Sequence, residues 1–281
     1  MKPILFESHS HTPLCNHATG DPTEYAAEAA RCGLAGIIVT CHNPMPDGFS
    51  ARVRMREDEF DQYVELVAAA SIQWQDRIEV RLGLEADYFE GHEPYLERQL
   101  NSADFHFVLG SVHPQIDEFR ARYWTDDPFD VQRIYFRLLA QAAETGLFDS
   151  LAHPDLIKNF TSDHWKPELI WNDIMDSLDR IARTGVAMEL NTSGLLKTIP
   201  EMNPFPLMLC EIAKRSIPIT LGADAHVPER VGANFSDALR LLQASGFDSV
   251  SVFHHRQPKQ VGIPDALASL SSRDEVAAAG H

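Results

Sequence analysis

The chain holds 281 residues, 44% of them hydrophobic, a length that suits one large α/β barrel as well as two ordinary domains. Its 41 acidic residues against 24 basic ones give a net charge of −17. That balance opposes a nucleic-acid partner, because phosphate backbones demand clustered Lys and Arg, yet it admits a small anionic substrate wherever bound cations make a pocket locally positive.

In chain order, apolar runs alternate with amphipathic segments, the pattern of an α/β fold with parallel strands. Strands are read near residues 3–8, 34–41, 78–88, 105–112, 149–152, 186–191, 217–222 and 248–253. The first helix opens at Asp21-Pro22-Thr23-Glu24, with an acidic cap, proline in the first turn and glutamate three residues after the cap, and it stops at Gly33. A second segment, 57–74, reads as helix. Another opens at Asp127-Pro128, carries apolar residues Val131, Ile134, Tyr135, Leu138, Leu139 and Ala142 at helical spacing, and closes at Gly146. A fourth covers 167–184. Residues 43–54 and 114–127 read as loops on a pocket rim.

One domain over residues 1–270 is expected, followed by a small polar tail, 271–281, that frays. No run approaches the roughly 18 apolar residues of a membrane span. The first residues meet acid at Glu7, too early for a secretory signal. The four cysteines, Cys15, Cys32, Cys41 and Cys210, lack CxxC spacing and read as reduced thiols of a cytoplasmic protein; Cys15 and Cys41, beside ligand histidines, read as packing residues with weak ligation as the alternative.

The chemistry gathers where apolar runs end. His9 and His11 follow the first, with His17 in the next loop; His42 follows the second; Glu85 lies in the third; His113, His153, Asp224 and His226 follow later ones. In an α/β barrel the strand C-termini share one rim, so these side chains would converge. Strand alternation turns His9 and His11 the same way, and likewise Asp224 and His226. Seven histidines and two carboxylates exceed the needs of one ion and suit three, with Glu85 bridging two of them. Histidine-rich ligation favours Zn, Mn or Fe over Mg or Ca. His92, His106, His164, His254, His255 and His281 read instead as ordinary hydrogen-bonded histidines.

The ordered set His9-Ser10-His11, Gly83-Leu84-Glu85, Gly110-Ser111-Val112-His113, Ala152-His153-Pro154-Asp155-Leu156, Glu189-Leu190-Asn191-Thr192-Ser193-Gly194 and Gly222-Ala223-Asp224-Ala225-His226 resembles the polymerase-and-histidinol-phosphatase (PHP) superfamily, and within it the histidinol-phosphate phosphatase branch. The resemblance implies a distorted (β/α)7 TIM-like barrel with a trinuclear site. Carried over by position, one ion takes His9, His11, Glu85 and Asp224; a second takes Glu85, His113 and His153; a third takes His17, His42 and His226. It further implies histidine biosynthesis, with L-histidinol phosphate hydrolysed by a metal-bound hydroxide at a site of three divalent ions (Zn, Mn or Fe).

The leaving alkoxide would take its proton from Asp155 or from a metal-linked histidine, His226. Lys158, Lys197 and Arg230, just beyond ligand-bearing strands, are the expected phosphate contacts, and Asn191 a further substrate-binding candidate. One departure stands out. The branch carries arginine after its Ser-Gly-Leu stretch, whereas here Leu196 holds that position and Lys197 follows. Lysine is a point charge without the bidentate fork. The alternatives are therefore a phosphatase for another small phosphate ester or nucleotide, a non-catalytic metal-binding PHP module, or a metal-dependent amidohydrolase. Oligomeric state is left open.

Overall fold

The computed structural model describes residues 2–278, with side chains through Leu270. The expected frayed tail, 271–281, falls on residues whose side chains lie outside that description.

Seven parallel strands lie in sequential order: β1 (Phe6–Ser10), β2 (Gly36–Val39), β3 (Glu79–Asp87), β4 (Phe107–Ser111), β5 (Ser150–Leu151), β6 (Ala187–Asn191) and β7 (Ile219–Gly222). Sequential parallel order with helical crossovers curls a sheet towards closure. The two edges meet just past the strand ends, where the His11 amide donates to the Ala225 carbonyl (3.0 Å) and the Ala225 amide donates to the His9 carbonyl (3.0 Å). The result is the expected α/β barrel of seven strands, nearly closed, whose strands are almost wholly buried on both faces, including polar residues of β1 and β3 such as Glu7, His9 and Glu85.

Helices α1 (Pro22–Arg31), α2 (Phe60–Trp74), α3 (Glu93–Leu100), α4 (Asp117–Tyr123), α5 (Pro128–Glu144), α6 (Trp171–Ala182), α7 (Pro206–Lys214), α8 (Phe235–Ser245) and α9 (Ile263–Ala278) surround it. The expected capping box opens α1: the Thr23 and Glu24 amides donate to Asp21, and the Asp21 amide donates to Glu24 (2.8 Å). Asp127 caps α5 by accepting from the Phe129 amide.

Two expectations are corrected. Segment 114–127, read as loop, contains α4, a helix too short to register as a periodic apolar pattern. The eighth apolar run does form a strand, β8 (Ser249–His254), but it stays out of the parallel sheet and pairs antiparallel with β9 (Gln257–Gly262). β9 has no strand signature in the sequence, because Gln-Pro-Lys-Gln carries no apolar alternation. The hairpin packs beside β7 and reaches under the N-terminal end of the barrel, where Phe253 stacks on Phe107 at a centroid distance of 4.9 Å.

Candidate metal centre

All nine expected donors meet at the C-terminal rim. Their rings and carboxylates form one continuous cluster: centroid separations are 3.9 Å for His11–His226, 4.5 Å for His11–His42, 5.3 Å for His17–His42, 5.2 Å for His42–His113 and 5.1 Å for His113–His153.

Glu85, wholly buried on β3, is the hub. Its Oε1 faces His113 Nε2 (3.3 Å) and His153 Nε2 (3.1 Å), while its Oε2 faces His9 Nε2 (3.4 Å), His11 Nε2 (3.7 Å) and His42 Nδ1 (2.8 Å). Asp224 Oδ1 completes one group, 3.6 Å from His9 Nε2 and 3.1 Å from His11 Nε2. Further out, His17 Nε2 and His226 Nε2 lie 2.9 Å apart beside His42. Donors around a tetrahedral ion with bonds near 2.1 Å sit about 3.4 Å from one another. The spacings in the groups around Glu85 match that edge length.

The surroundings fit cations too. A ligating imidazole normally anchors its second nitrogen to a carboxylate or carbonyl. His9 Nδ1 lies 2.7 Å from Glu189 Oε1, His113 Nδ1 lies 2.7 Å from Asp87 Oδ1, His17 Nδ1 lies 2.7 Å from the Cys15 carbonyl and His226 Nδ1 lies 3.0 Å from the Asp224 carbonyl. With those atoms fixed, each Nε2 turns inward. His9 Nε2 and Glu85 Oε2 are buried and without hydrogen-bond partners among the described residues. A buried polar group left so costs stability unless something else satisfies it. The donor set therefore fits divalent ions at this rim.

Local backbone departs from simple strand alternation. His153 and Asp224 have φ of +28° and +51°, in or near the left-handed region that favours glycine. The Asp224–His226 pair is thus aimed by a strained turn past β7 rather than by a strand, the kind of strain that persists where surrounding structure over-determines it. Gly222 permits a close approach: a Cβ there would lie 2.2 Å from Glu189 Oε1 and 2.6 Å from His9 Cβ. Only glycine lets Glu189 sit against His9.

Electrostatics separate the two parts of the cluster. Burial opposes ionisation of Glu85, yet the surrounding histidines hold its carboxyl well below the ordinary range. Burial likewise opposes charge on His113, but Asp87 and Glu85 raise it to about 10. Burial, then the charge on His11, pushes His226 down to about 2, and burial takes His42 to about 4. A neutral His226 has a lone pair to offer a cation.

The substrate-side candidates divide. Lys197 lines a cleft of about 260 Å³ over the cluster, with Nζ 3.9 Å from Asp224 Oδ2. Leu196, at the arginine position, is 69% exposed. Asn191 is buried and spans Glu189, to which its Nδ2 donates, and the Ser193 amide, from which its Oδ1 accepts; it holds the loop after β6. Asp155 and Lys158 are corrected. The turn at His153 sends both inward, where they are fully buried and paired at 2.9 Å. Asp155 accepts from Asn203 and from the Phe205 amide, and Lys158 donates to the Met202 carbonyl. Neither lines a cavity at the cluster. Arg230 sits in the turn Pro228–Arg230 packed on α1, also outside those walls.

Further residues at the site lie outside the expected donor and substrate sets. Asp87 and Glu7 each stand two residues from a donor on the same strand, so alternation offered a signal. Asp87 takes Arg54 Nη2 at 2.6 Å as well as His113. Glu7 accepts from the His9, Ala223 and Gly232 amides. Arg54, 2% exposed, offered none. A larger cavity of about 470 Å³ shares His17, His42, His113 and Gln115 with the cleft and is walled further by Arg52, Arg54, Asp117 and Glu118. Both expected rim segments, 43–54 and 114–127, supply this wall.

Residues 7–193 match the family model for the PHP domain. A Deinococcus radiodurans protein named "Probable histidinol-phosphatase" is 39% identical over 259 residues, covering 90% of this chain and 98% of its own length. The "Histidinol-phosphatase" of Bacillus subtilis is 25% identical over 254 residues, covering 80% and 95%. The crystal structure of histidinol phosphate phosphatase from Lactococcus lactis, complexed with Zn, L-histidinol and phosphate, superposes with a TM-score of 0.76 at 20% identity over 91% of this chain and 98% of that one. That likeness shows a shared fold.

Proposed function

The chain belongs to the PHP domain family, and from that premise we propose that it is a metal-dependent phosphomonoesterase that hydrolyses L-histidinol phosphate to L-histidinol and phosphate. The observation that carries the reading is the division of Glu85, one carboxylate oxygen towards His113 and His153 and the other towards His9, His11 and His42. A bridging carboxylate between imidazole sets is what a polynuclear hydrolytic site requires. His9, His11, Glu85 and Asp224 would hold one ion; Glu85, His113 and His153 a second; His17, His42 and His226 a third, of Zn, Mn or Fe. Bound there, such ions would neutralise phosphate oxygens, make water nucleophilic near neutral pH and offset charge on the leaving alkoxide.

The chain's own residues then position the ester. Lys197 Nζ, standing over the cleft, donates to a phosphate oxygen in place of the absent arginine fork. Asp87, clamped by Arg54, fixes the ring of His113 through Nδ1. The 470 Å³ cavity receives the rest of the substrate. Its other charges are matched, Asp117 by Arg52 (2.8 Å) and Arg54 by Asp87 (2.6 Å), so Glu118 is the wall carboxylate that faces the ammonium or imidazole of a histidinol ester. That charge suits histidinol phosphate better than a nucleotide. A cytoplasmic setting accords with the reading; among the described residues no helix is long and apolar enough to cross a membrane.

The test pairs metal content with kcat/KM over a panel of L-histidinol phosphate, nucleoside monophosphates and a chromogenic ester. Histidinol phosphate should lead, and His113→Ala should abolish turnover and lower metal content in a folded protein. Full activity in that variant, or a metal-free inactive wild type, would overturn the assignment.

A further inference from the structure

At the opposite end of the barrel three histidines that the catalytic reading leaves unused come together. His106 immediately precedes β4, and His254 and His255 end β8. Their ring centroids lie 4.8 Å (His106–His254), 4.2 Å (His106–His255) and 4.3 Å (His254–His255) apart, and each offers a nitrogen within 4.8 Å of the other two.

The hairpin that makes this possible is strained. A two-residue β-hairpin turn of this kind needs positive φ at both central positions, which Asn-Gly supplies at little cost. Here they are His255 (φ +46°) and Arg256 (φ +59°), neither of them glycine. The turn is held down by Arg256, whose Nε donates to both Asp149 oxygens (3.1 Å each), whose Nη2 donates to the Leu147 carbonyl (2.6 Å), and whose amide donates to the His106 carbonyl (2.9 Å). The anchor brings the two hairpin imidazoles against His106.

Carboxylates stand outside the ring trio: His255 Nδ1 lies 3.4 Å from Asp104 Oδ1, and His254 Nε2 lies 3.8 Å from Glu79 Oε1. At these separations the two acids are ion-pair neighbours that add negative charge outside the trio without hydrogen-bonding its ring nitrogens. The nearby cations are already matched, Arg81 by both oxygens of Glu79 (2.9 Å each) and Arg256 by Asp149.

We propose that His106, His254 and His255 form a second, separate site for one divalent transition ion of the zinc, copper or nickel class, which clamps the β8–β9 hairpin to the N-terminal end of the barrel. Three imidazoles and water would complete its coordination. This site does not depend on the chemistry at the other rim.

The test is a difference in stoichiometry. Protein free of any affinity tag, with its main cluster loaded, is dialysed against micromolar Zn2+, and bound zinc is counted for wild type and for the double variant His254→Asn, His255→Asn. Both side chains are about half exposed, and Asn tolerates positive φ, so the variant folds. Wild type should hold one more equivalent than the variant, with equal phosphatase kcat, and Zn2+ should raise the Tm of wild type by more. Equal zinc content in the two proteins overturns the proposal, whether neither binds the extra ion or both do. A His106→Ala variant repeats the measurement from the barrel side.

Discussion

The barrel gathers histidines at both ends, and the two gatherings are built differently. At the C-terminal rim the rings of His9, His11 and His153 are buried, and Glu85 and Asp224 lie among them. At the N-terminal rim His254 and His255 are half exposed, the carboxylates stand outside the trio, and no acid bridges the rings. Seven strands converge on the first site, whereas one hairpin turn and the start of β4 make the second. Burial is what separates them: a buried donor without a partner needs a cation, and an exposed one can settle for water. The first cluster should therefore be integral to the fold and its chemistry, and the second a dispensable clamp.

The strongest way to break that comparison is Glu85→Ala. It removes the oxygens that both donor sets share, so metal content should collapse, and kcat on L-histidinol phosphate should fall by about 10³-fold or more, the scale of losing a principal electrostatic group. Metal analysis and steady-state kinetics check this together. Near-normal metal content in the variant would mean that Glu85 does not bridge.

Asp87→Asn should come next. It frees the Nδ1 anchor of His113 and strands Arg54, which is 2% exposed. Loss of such an outer contact costs about 10–100-fold in metal affinity, and breaking a buried ion pair costs roughly 3–5 kcal/mol. The carboxyl carries an acid signature as well. Burial opposes its ionisation, but Arg54 and His113 hold it below the ordinary range. A depressed folded value means stability that is present above about pH 4 and is lost as pH falls through the folded value. In metal-free protein the urea midpoint of wild type should drop on acidification below pH 4, and that of Asp87→Asn should drop less.

These residues also mark what sequence can disclose. The nine donors were readable because most stand at or just past the end of an apolar run, and a parallel barrel delivers strand ends to one rim. Asp87 shares the face of Glu85 by alternation, but its partner His113, like the partner His9 of Glu189, lies on another strand, a relation that spacing along the chain does not express. Arg54 was unreadable, since a loop arginine looks like any surface cation until the loop folds inward. The inward turn at His153 hid the fate of Asp155 and Lys158 in the same way, because a positive φ at histidine has no sequence signature. The β8–β9 hairpin shows the limit from the other side. β9 is polar, and its pairing rests on a turn whose residues are poor turn formers.

Smaller effects belong to the substrate walls. Glu118→Gln should raise KM for histidinol phosphate several-fold while leaving a chromogenic ester nearly unchanged, since only the former carries positive charge to the cavity. Lys197→Ala should raise KM for both, with kcat little altered, because it touches the phosphate common to all. An unchanged KM would remove Lys197 from the site.

The smallest effect should come from the far end. His255 sits at φ +46° without glycine's freedom, a conformation that costs on the order of 1 kcal/mol, and Asn enters that region more readily. In chelator-treated protein His255→Asn should therefore stabilise the fold slightly, by at most about 1 kcal/mol in urea denaturation, and kcat/KM of the loaded enzyme should not change. With Zn2+ added, wild type should recover that difference, because the ion offsets the strain that the turn bears. A change in kcat would show that the two ends are coupled, and a destabilised variant would mean that the His255 ring contributes packing that outweighs its backbone strain.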